Sequence, residues 1–545
     1  MSEPASGAPY QALSVDDDQT SAASANPTDD DVDNRPVSPR RNDIWNQPWW
    51  LFFLMVLLFL GLIAASISVH VAVCSAPPPP ETDPVRPLQF TTLRIGKHLV
   101  DTHLGTPSNH TEVCSMESVA VSGVGPTWAA SFINIPDDTL EAAFVLGNDI
   151  ARETIVAGFG GLPAAGDTVA VGPSHARMLW AGRLASWRYA TAGWASVRIH
   201  AGSTDRIFVP IVIAGANIPD AYGAVESARD VLFFLEDACP SYAPPCTCSY
   251  NGSESARYGA VFVNGRRRSR RLHEMHVDPD SRVRLRVMNG AGGTNFQFTM
   301  RTDDDKVVGT IVAVDGQWIQ PVPLASLNTT VFVGVGQRLD IVISIPKRRW
   351  TRVELVAVEE GRGDQPRHQT GLVLLTEQSP WASAHDVADL PLASARVVYD
   401  DWGAERLYRR LDANHPGAKQ TSATIVAANA TAVMRLSANN TINGYKYDDK
   451  ASVVYVRLGS TLAITFANDI DDEAVPVHID GHWFTVVAFD GVPVVGAALR
   501  DTLLIPARRN ATVAIQAVNP GRFQVACLNE IRRQRGMATT LQYIV

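Results

Sequence analysis

The sequence predicts an all-β protein, and three observations predict it. First, short runs alternate in polarity or are apolar throughout, and they are rich in Val and Ile. Examples are VRLRVMN (283–289), TTVFVGV (329–335), LDIVISI (339–345), SVVYVRL (452–458), LAITFAN (462–468) and ATVAIQAV (511–518), bounded by Gly, Asn, Asp or Pro. Second, helical periodicity is nearly absent; SARDVLFFLEDA (227–238) is the one segment that reads either way. Third, turn signals recur, with VNG (263–265) and ING (442–444) opening two strand series alike. Short strands with regular turns fit sandwiches or barrels. A chain of 545 residues with 46% hydrophobic content has room for three such units, placed at 90–217, 218–392 and 393–545.

Residues 1–48 carry nine acidic side chains, including Asp16–Asp18 and Asp29–Asp31, against Arg35, Arg40 and Arg41. Three minus nine gives −6 of the chain's −9, in a segment with few large apolar residues. Such a composition does not offset its own ordering entropy, so a disordered cytosolic tail is expected. The acidic balance also excludes nucleic acid as the main partner. Trp49 to Val69 is 21 residues without a charge, enough to cross a hydrocarbon core of roughly 30 Å. Trp45, Trp49 and Trp50 stand where an interfacial belt belongs. A cleaved signal peptide is the competing reading, but the run is long, starts late and lacks a small-x-small site. Residues 49–70 are therefore read as a transmembrane signal-anchor, and 71–89, with APPPPETDP, as a Pro-rich stalk.

Six Asn-x-Ser/Thr sequons all follow this run: Asn109, Asn251, Asn328, Asn429, Asn439 and Asn510. They suit a single-pass type II protein whose C-terminal part is lumenal, extracellular or on an enveloped particle. Cys114, Cys239, Cys246 and Cys248 are disulfide candidates in that oxidising setting, with connectivity open. A soft metal clip is the alternative at 239–248, but no nearby histidine completes it. Cys74 lies at the membrane edge, placed to bridge two chains or carry an acyl group.

Several ordered motifs resemble the multicopper oxidase family of the laccase and ascorbate oxidase type. VSGVGPTWAAS (121–131) resembles "NGxxPGPxI", and AGWASVRIHAGSTDRIFVPIVIAG (192–215) resembles "GTYWYHSH…GLxGPLIV". AVFVNGR, VRLRVMNG, VAVDGQWIQPVPLASL and VGVGQRLDIVISI follow the family's second-domain motifs in order. RDTLLIPA (500–507) resembles "rDTvxvp", and NPGRFQVACLNEIRRQRGM (519–537) resembles "NPGxWxxHCHIxxHxxxGM". The resemblance implies three tandem cupredoxin-like Greek-key β-sandwich domains, here on a single N-terminal transmembrane helix. It also implies a type 1 copper held by two imidazoles and a thiolate, and a trinuclear copper cluster held by four His-x-His pairs.

Those ligand positions carry over one by one. The first pair falls in TIVAGFGG (154–161), which has no histidine, and the second on Arg198 and His200. "HPxHxHGH" falls on VPVHIDGH, which puts Val475, His478 and Asp480 at ligand positions and His482 at the non-ligating one. "HCH" falls on Ala526, Cys527 and Leu528, the last type 1 histidine on Arg532, and the axial position on Met537. Of the ten ligating histidines the resemblance implies, only His200 and His478 remain. A permanent guanidinium at a metal position repels the metal. The vestigial positions are thus His200, His478, Cys527 and Met537, and a residual site would use His200, His478 and Asp480. The plainer reading of His478 and His482 is a pair of structural histidines on one face of an extended segment. Cys527 reads as a buried free thiol. His273 and His276 precede a strand, and i, i+3 spacing sends them to opposite faces.

GRRRSRR (265–271) holds five arginines, Arg266, Arg267, Arg268, Arg270 and Arg271. A solvated hairpin is the plain reading; a polyanion patch, joined by KRRW (347–350), or cleavage at R-x-R-R are the sharper ones. Together the residues predict a membrane-anchored, catalytically inactive oxidase-like glycoprotein acting in surface recognition, adhesion or structure. Its partners would be the membrane and an unidentified protein or glycan, and no cofactor is expected. The alternative is a copper-binding oxidoreductase with a reduced metal complement.

Overall fold

The computed structural model describes backbone in the strands between residues 89 and 213 and in most of 228–544. Side chains are described at 208, 210 and 211, and from 228 to 544 except 238–260, 266–273, 303–306, 348–350, 361–368, 377–398, 400, 411–429 and 448–452. The tail, the 49–70 segment and the stalk before residue 89 lie outside the described residues. So do Cys74, Cys239, Cys246, Cys248, Asn109, Asn251, Asn429 and Arg268 to Arg271, with the side chains of Cys114, Arg266 and Arg267. Among the described residues no helix is long and apolar enough to cross a membrane.

Pro84–Val545 forms one compact unit, and its described residues lie almost entirely in strands and their turns. Among the described residues, six sheets fall into three pairs that repeat one topology. In each pair, one sheet contains a parallel pairing followed by an antiparallel one. These are Gln89–Gly105 with Glu141–Asn148, Arg229–Ala238 with Arg282–Asn289, and Ala430–Ser437 with Thr461–Asn468. The second sheet of each pair starts from a parallel edge strand: Ile133–Ile135, His273–Val277 or Val453–Arg457. Parallel neighbours inside a sandwich require crossover connections, the cupredoxin-like arrangement.

Local chemistry explains these elements. Thr461–Asn468 buries every second residue, so one face meets the core and the other meets solvent. Four hairpins turn on Asn-Gly or Asp-Gly pairs with both residues at positive φ: 264–265, 315–316, 443–444 and 490–491. The ambiguous 227–238 segment is the strand Arg229–Ala238. Val231, Phe233 and Leu235 are buried, and Phe233 meets Phe298 of the facing sheet edge-on at 5.3 Å. His273 and His276 lie within the strand His273–Val277 rather than before it.

The second and third units meet through buried charges. Arg500 donates from Nε to Asp315 Oδ2 at 2.6 Å and from Nη1 to Glu405. Arg338 Nη2 pairs with Asp501 at 2.5 Å, and its backbone N–H donates to Asp315 Oδ1. Asp315, Arg338, Glu405, Arg500 and Asp501 are all at most 6% exposed. Burial works against the Arg500 charge, yet Asp315 and Glu405 raise its pKa above the ordinary value. A second latch is the Glu360 carboxylate, which accepts from Asn295 Nδ2 and from the N–H groups of Tyr399 and Ala474.

Two predictions follow from this packing. Arg500→Met leaves Asp315 and Glu405 buried without their cation and is expected to cost about 3–5 kcal/mol in chemical denaturation; a loss under about 1 kcal/mol contradicts it. Glu236 is buried, and burial followed by the Asp237 charge pushes its carboxyl well above the usual range. The folded state therefore holds its proton longer than the unfolded chain, so stability falls as pH rises above the carboxylate range. Glu236→Gln should stabilise the protein at neutral pH and remove that part of the slope; Tm measured against pH checks this.

Candidate metal centre

The strand Val475–Ile479 runs between two antiparallel neighbours. Thr502–Ile505 pairs on one side, with His478 opposite Thr502. Arg522–Cys527 pairs on the other, with Val477 opposite Cys527 and His478 opposite Ala526. Strand alternation then sorts the vestigial positions onto two faces. Val475, Val477, Cys527 and Met537 belong to the apolar core of the third unit. His478 points away from that core.

On the core side, Cys527 is buried and is not part of a disulfide. Its backbone N–H donates to Met537 O at 3.1 Å, and Asn529 N–H points at its Sγ at 3.3 Å. Asn529 caps the helix Glu530–Gln534 by accepting from Arg532 N–H. The Arg532 side chain is 4% exposed and is held on several sides. Nε donates to Glu473 Oε2 at 3.1 Å and Nη2 pairs with the same oxygen; Nη1 reaches Asn440 Oδ1 at 3.0 Å and Ala438 O. Burial opposes this charge, but Glu473 more than offsets it and the Arg532 pKa is raised.

On the other face, Thr502 Oγ1 donates to Asp501 Oδ1 at 2.9 Å. Its hydrogen is thus used, and at 3.1 Å it accepts from His478 Nδ1. This assigns the proton of a neutral His478 to Nδ1 and leaves Nε2 as the acceptor atom. Nε2 lies 3.2 Å from Asp480 Oδ1 and is buried without a hydrogen-bond partner. A cation fits that atom better than a bare lone pair beside a carboxylate.

His482 is different. The strand ends at Ile479 and Gly481 turns at φ +67, so His482 does not share the extended face of His478. This corrects the expectation from spacing. His482 Nδ1 bonds Asp480 O at 2.7 Å, Nε2 bonds Tyr543 Oη at 2.6 Å, and Phe523 meets the ring edge-on. Burial lowers its pKa. It is a satisfied structural histidine.

His200 lies on Trp194–Ala201 opposite Val156, and Arg198 lies opposite Gly158; their side chains are outside the description. The described sequons are an exposed turn at Asn328, an exposed turn at Asn439 and a half-buried strand residue at Asn510. Glu473 and Asn440, the partners of Arg532, carried no motif in the sequence. An arginine at a core position was itself a signal that a buried carboxylate must exist nearby.

The family description "Multicopper oxidase" matches residues 244–376 and again residues 412–544. The multicopper oxidase MmcO of Mycobacterium tuberculosis is 26% identical over 269 residues, 49% of this chain and 47% of that protein. The chain thus spans about half the length of the curated relative it matches. Among solved structures, the Campylobacter jejuni multicopper oxidase, a metallo-oxidase, superposes with TM-score 0.58 at 13% identity, covering 83% of this chain and 91% of that one. The Pseudomonas thermotolerans multicopper oxidase gives TM-score 0.58 at 15% identity, covering 84% and 100%. At such identities these two likenesses show the fold.

The expectation of no cofactor does not survive these matches. The relatives are multicopper oxidases, so copper is the cofactor the family implies for this chain. At the type 1 position, however, the residues present do not fit it. Val475 offers no donor, and Arg532 brings a cation already neutralised by Glu473. His478 and Asp480, in contrast, offer a nitrogen and oxygens that a metal accepts.

The Arg532 arrangement is open to a double-mutant cycle. Arg532→Ala should cost about 3–5 kcal/mol because Glu473 is left buried without its cation. Arg532→Met with Glu473→Gln should recover much of that loss; equal losses in the single and double variants would contradict the pairing. The two sequence matches, the repeated sandwich topology and the ordered motifs agree in likening this chain to the multicopper oxidase family.

Proposed function

We propose that this multicopper-oxidase-like protein has given up electron transfer through its type 1 position and serves as a surface recognition, adhesion or structural glycoprotein. In this reading residues 49–70 anchor the chain and the sandwiches lie on the lumenal or extracellular side. The observation that carries the reading is the Arg532–Glu473 pair beside Cys527. A type 1 centre passes electrons through its cysteine only if two imidazoles hold the metal against the thiolate. Here one position is aliphatic and the other is a guanidinium tied to Glu473 and to the 438–440 turn.

A second reading has its own observation. The buried His478 Nε2 facing Asp480 favours a copper-binding protein with a reduced metal complement. That reading keeps copper and needs no thiolate ligand.

The full chain, expressed in a eukaryotic host and loaded with copper, tests both. The expected result is no intense visible absorption of thiolate–copper bonding and no dioxygen uptake with a phenolic reductant. An absorption band abolished by Cys527→Ser would falsify the first reading. Copper retained after dialysis and lost in His478→Ala would put the second reading first.

A further inference from the structure

Three sequons fall on described side chains, and their surroundings separate them. Asn328 closes the 3-10 turn Leu324–Leu327 at φ +51, a left-handed position that asparagine tolerates. Its residue type thus has a backbone reason. Asn510 is half-buried at the start of the strand Asn510–Gln516, and its N–H donates to Asp490 Oδ1 at 3.0 Å. Thr512 of the same sequon bonds Thr465 on the neighbouring strand at 2.9 Å. Asn439 has neither role. It is exposed, it is not at positive φ, and its amide makes no hydrogen bond among the described residues.

The hairpin that carries Asn439 explains its placement. Ser437 pairs with Thr441 across the neck, so Ala438, Asn439 and Asn440 form a three-residue loop. Asn440 N–H donates to Ser437 O at 3.0 Å, and Asn440 takes the left-handed position at φ +60, the turn such loops favour. Below it, Ser437 Oγ and Thr441 Oγ1 bond at 2.6 Å. From inside, Arg532 Nη1 donates to Asn440 Oδ1 at 3.0 Å and to Ala438 O at 3.4 Å. The residues on both sides of Asn439 are thus bound to the guanidinium, while Asn439 itself is left to solvent. Beside the hairpin, Tyr445 exchanges two backbone hydrogen bonds with Ile442 and is 49% exposed.

We propose that Asn439 carries an N-linked glycan that covers the outer side of this turn and the exposed ring of Tyr445. The inference rests on the lumenal or extracellular placement proposed above, where this modification takes place. The step is a group transfer from a polyisoprenyl-pyrophosphate-linked oligosaccharide. Asn439 Nδ2 forms a bond to the anomeric carbon, the bond from that carbon to the pyrophosphate oxygen breaks, and the amide gives up one proton. Thr441 supplies the hydroxyl that completes the acceptor. The amide has no hydrogen bond to lose, so the folded turn accepts the bulky polar group without rearrangement. The turn that holds Arg532 is then screened from large partners, and recognition is left to other faces.

The test uses the full chain from a eukaryotic host, treated with peptide N-glycosidase in heavy-oxygen water, which turns each glycosylated asparagine into labelled aspartate. Peptides spanning all six sequons are read by mass spectrometry. The expected result is label at Asn439, lost in Asn439→Gln and kept in Thr441→Ser, which retains the hydroxyl. Hydroxyl-radical labelling of Tyr445 should rise severalfold in Asn439→Gln over the wild type. Matching thermal unfolding of the two shows that the fold is kept. Should the variant unfold earlier, the same comparison is made on the wild type before and after native deglycosylation. Label at other sequons but not at Asn439 overturns the proposal and leaves the lumenal reading standing. Label at none of them overturns both. Tyr445 labelling that is equal with and without the glycan overturns the covering of the ring.

Discussion

Arg338 and Arg500, set among Asp315, Glu405 and Asp501 between two sandwiches, decide how the second and third units are joined. Each charge is taken out of water, a cost returned only when every partner is in place. The residues come from four segments, VAVDG, GQRLD, GAERL and RDTLL, that are separate in the chain. Their pairing therefore works as a geometric lock: small displacements of one sandwich leave an unpaired buried ion. The lock also reaches the metal positions. Asp501, held by Arg338, accepts from Thr502, and Thr502 in turn fixes the ring of His478. Orientation at the His478 face is thus set by charges of the domain junction.

The Arg532 arrangement obeys the same rule with a different outcome. A copper ion at a type 1 position would bring positive charge and tie several chain segments to one point. Arg532 does both without a metal. It binds Glu473 before the His478 strand, the 438–440 turn and the cap residue of its own helix. The guanidinium keeps its charge under all conditions of interest, so the link has no redox state to change. Cys527 is left beside it as a small buried side chain in an otherwise apolar core.

Most of the fold was legible because β-structure writes itself locally. Thr461–Asn468 alternates in sequence as it alternates in burial, and the Asn-Gly and Asp-Gly pairs mark hairpins by their need for positive φ. Arg229–Ala238 was ambiguous for a physical reason: Phe233, Phe234 and Leu235 are all buried, so the period of two is hidden. The site was less legible. Glu473 lies 59 residues from Arg532, and nothing local joins them. His478 and His482 misled by spacing because Gly481 ends the extended segment between them. The expectation of no cofactor erred by treating lost histidines as the whole question, when the family's relatives point to copper.

The conflict between a copper family and an unsuitable type 1 position resolves on the geometry of one strand. Val475–Ile479 sends alternate residues to opposite faces. Substitution on the core face, where Val475 and Cys527 lie, does not touch donors on the other face. There His478 Nε2 and Asp480 still face each other at 3.2 Å, oriented by Thr502. Electron transfer requires both faces, because the thiolate feeds a cluster beyond it; simple metal binding requires only one. The core face can therefore be rebuilt around an ion pair while the opposite face keeps its donors, and the two losses need not have come together.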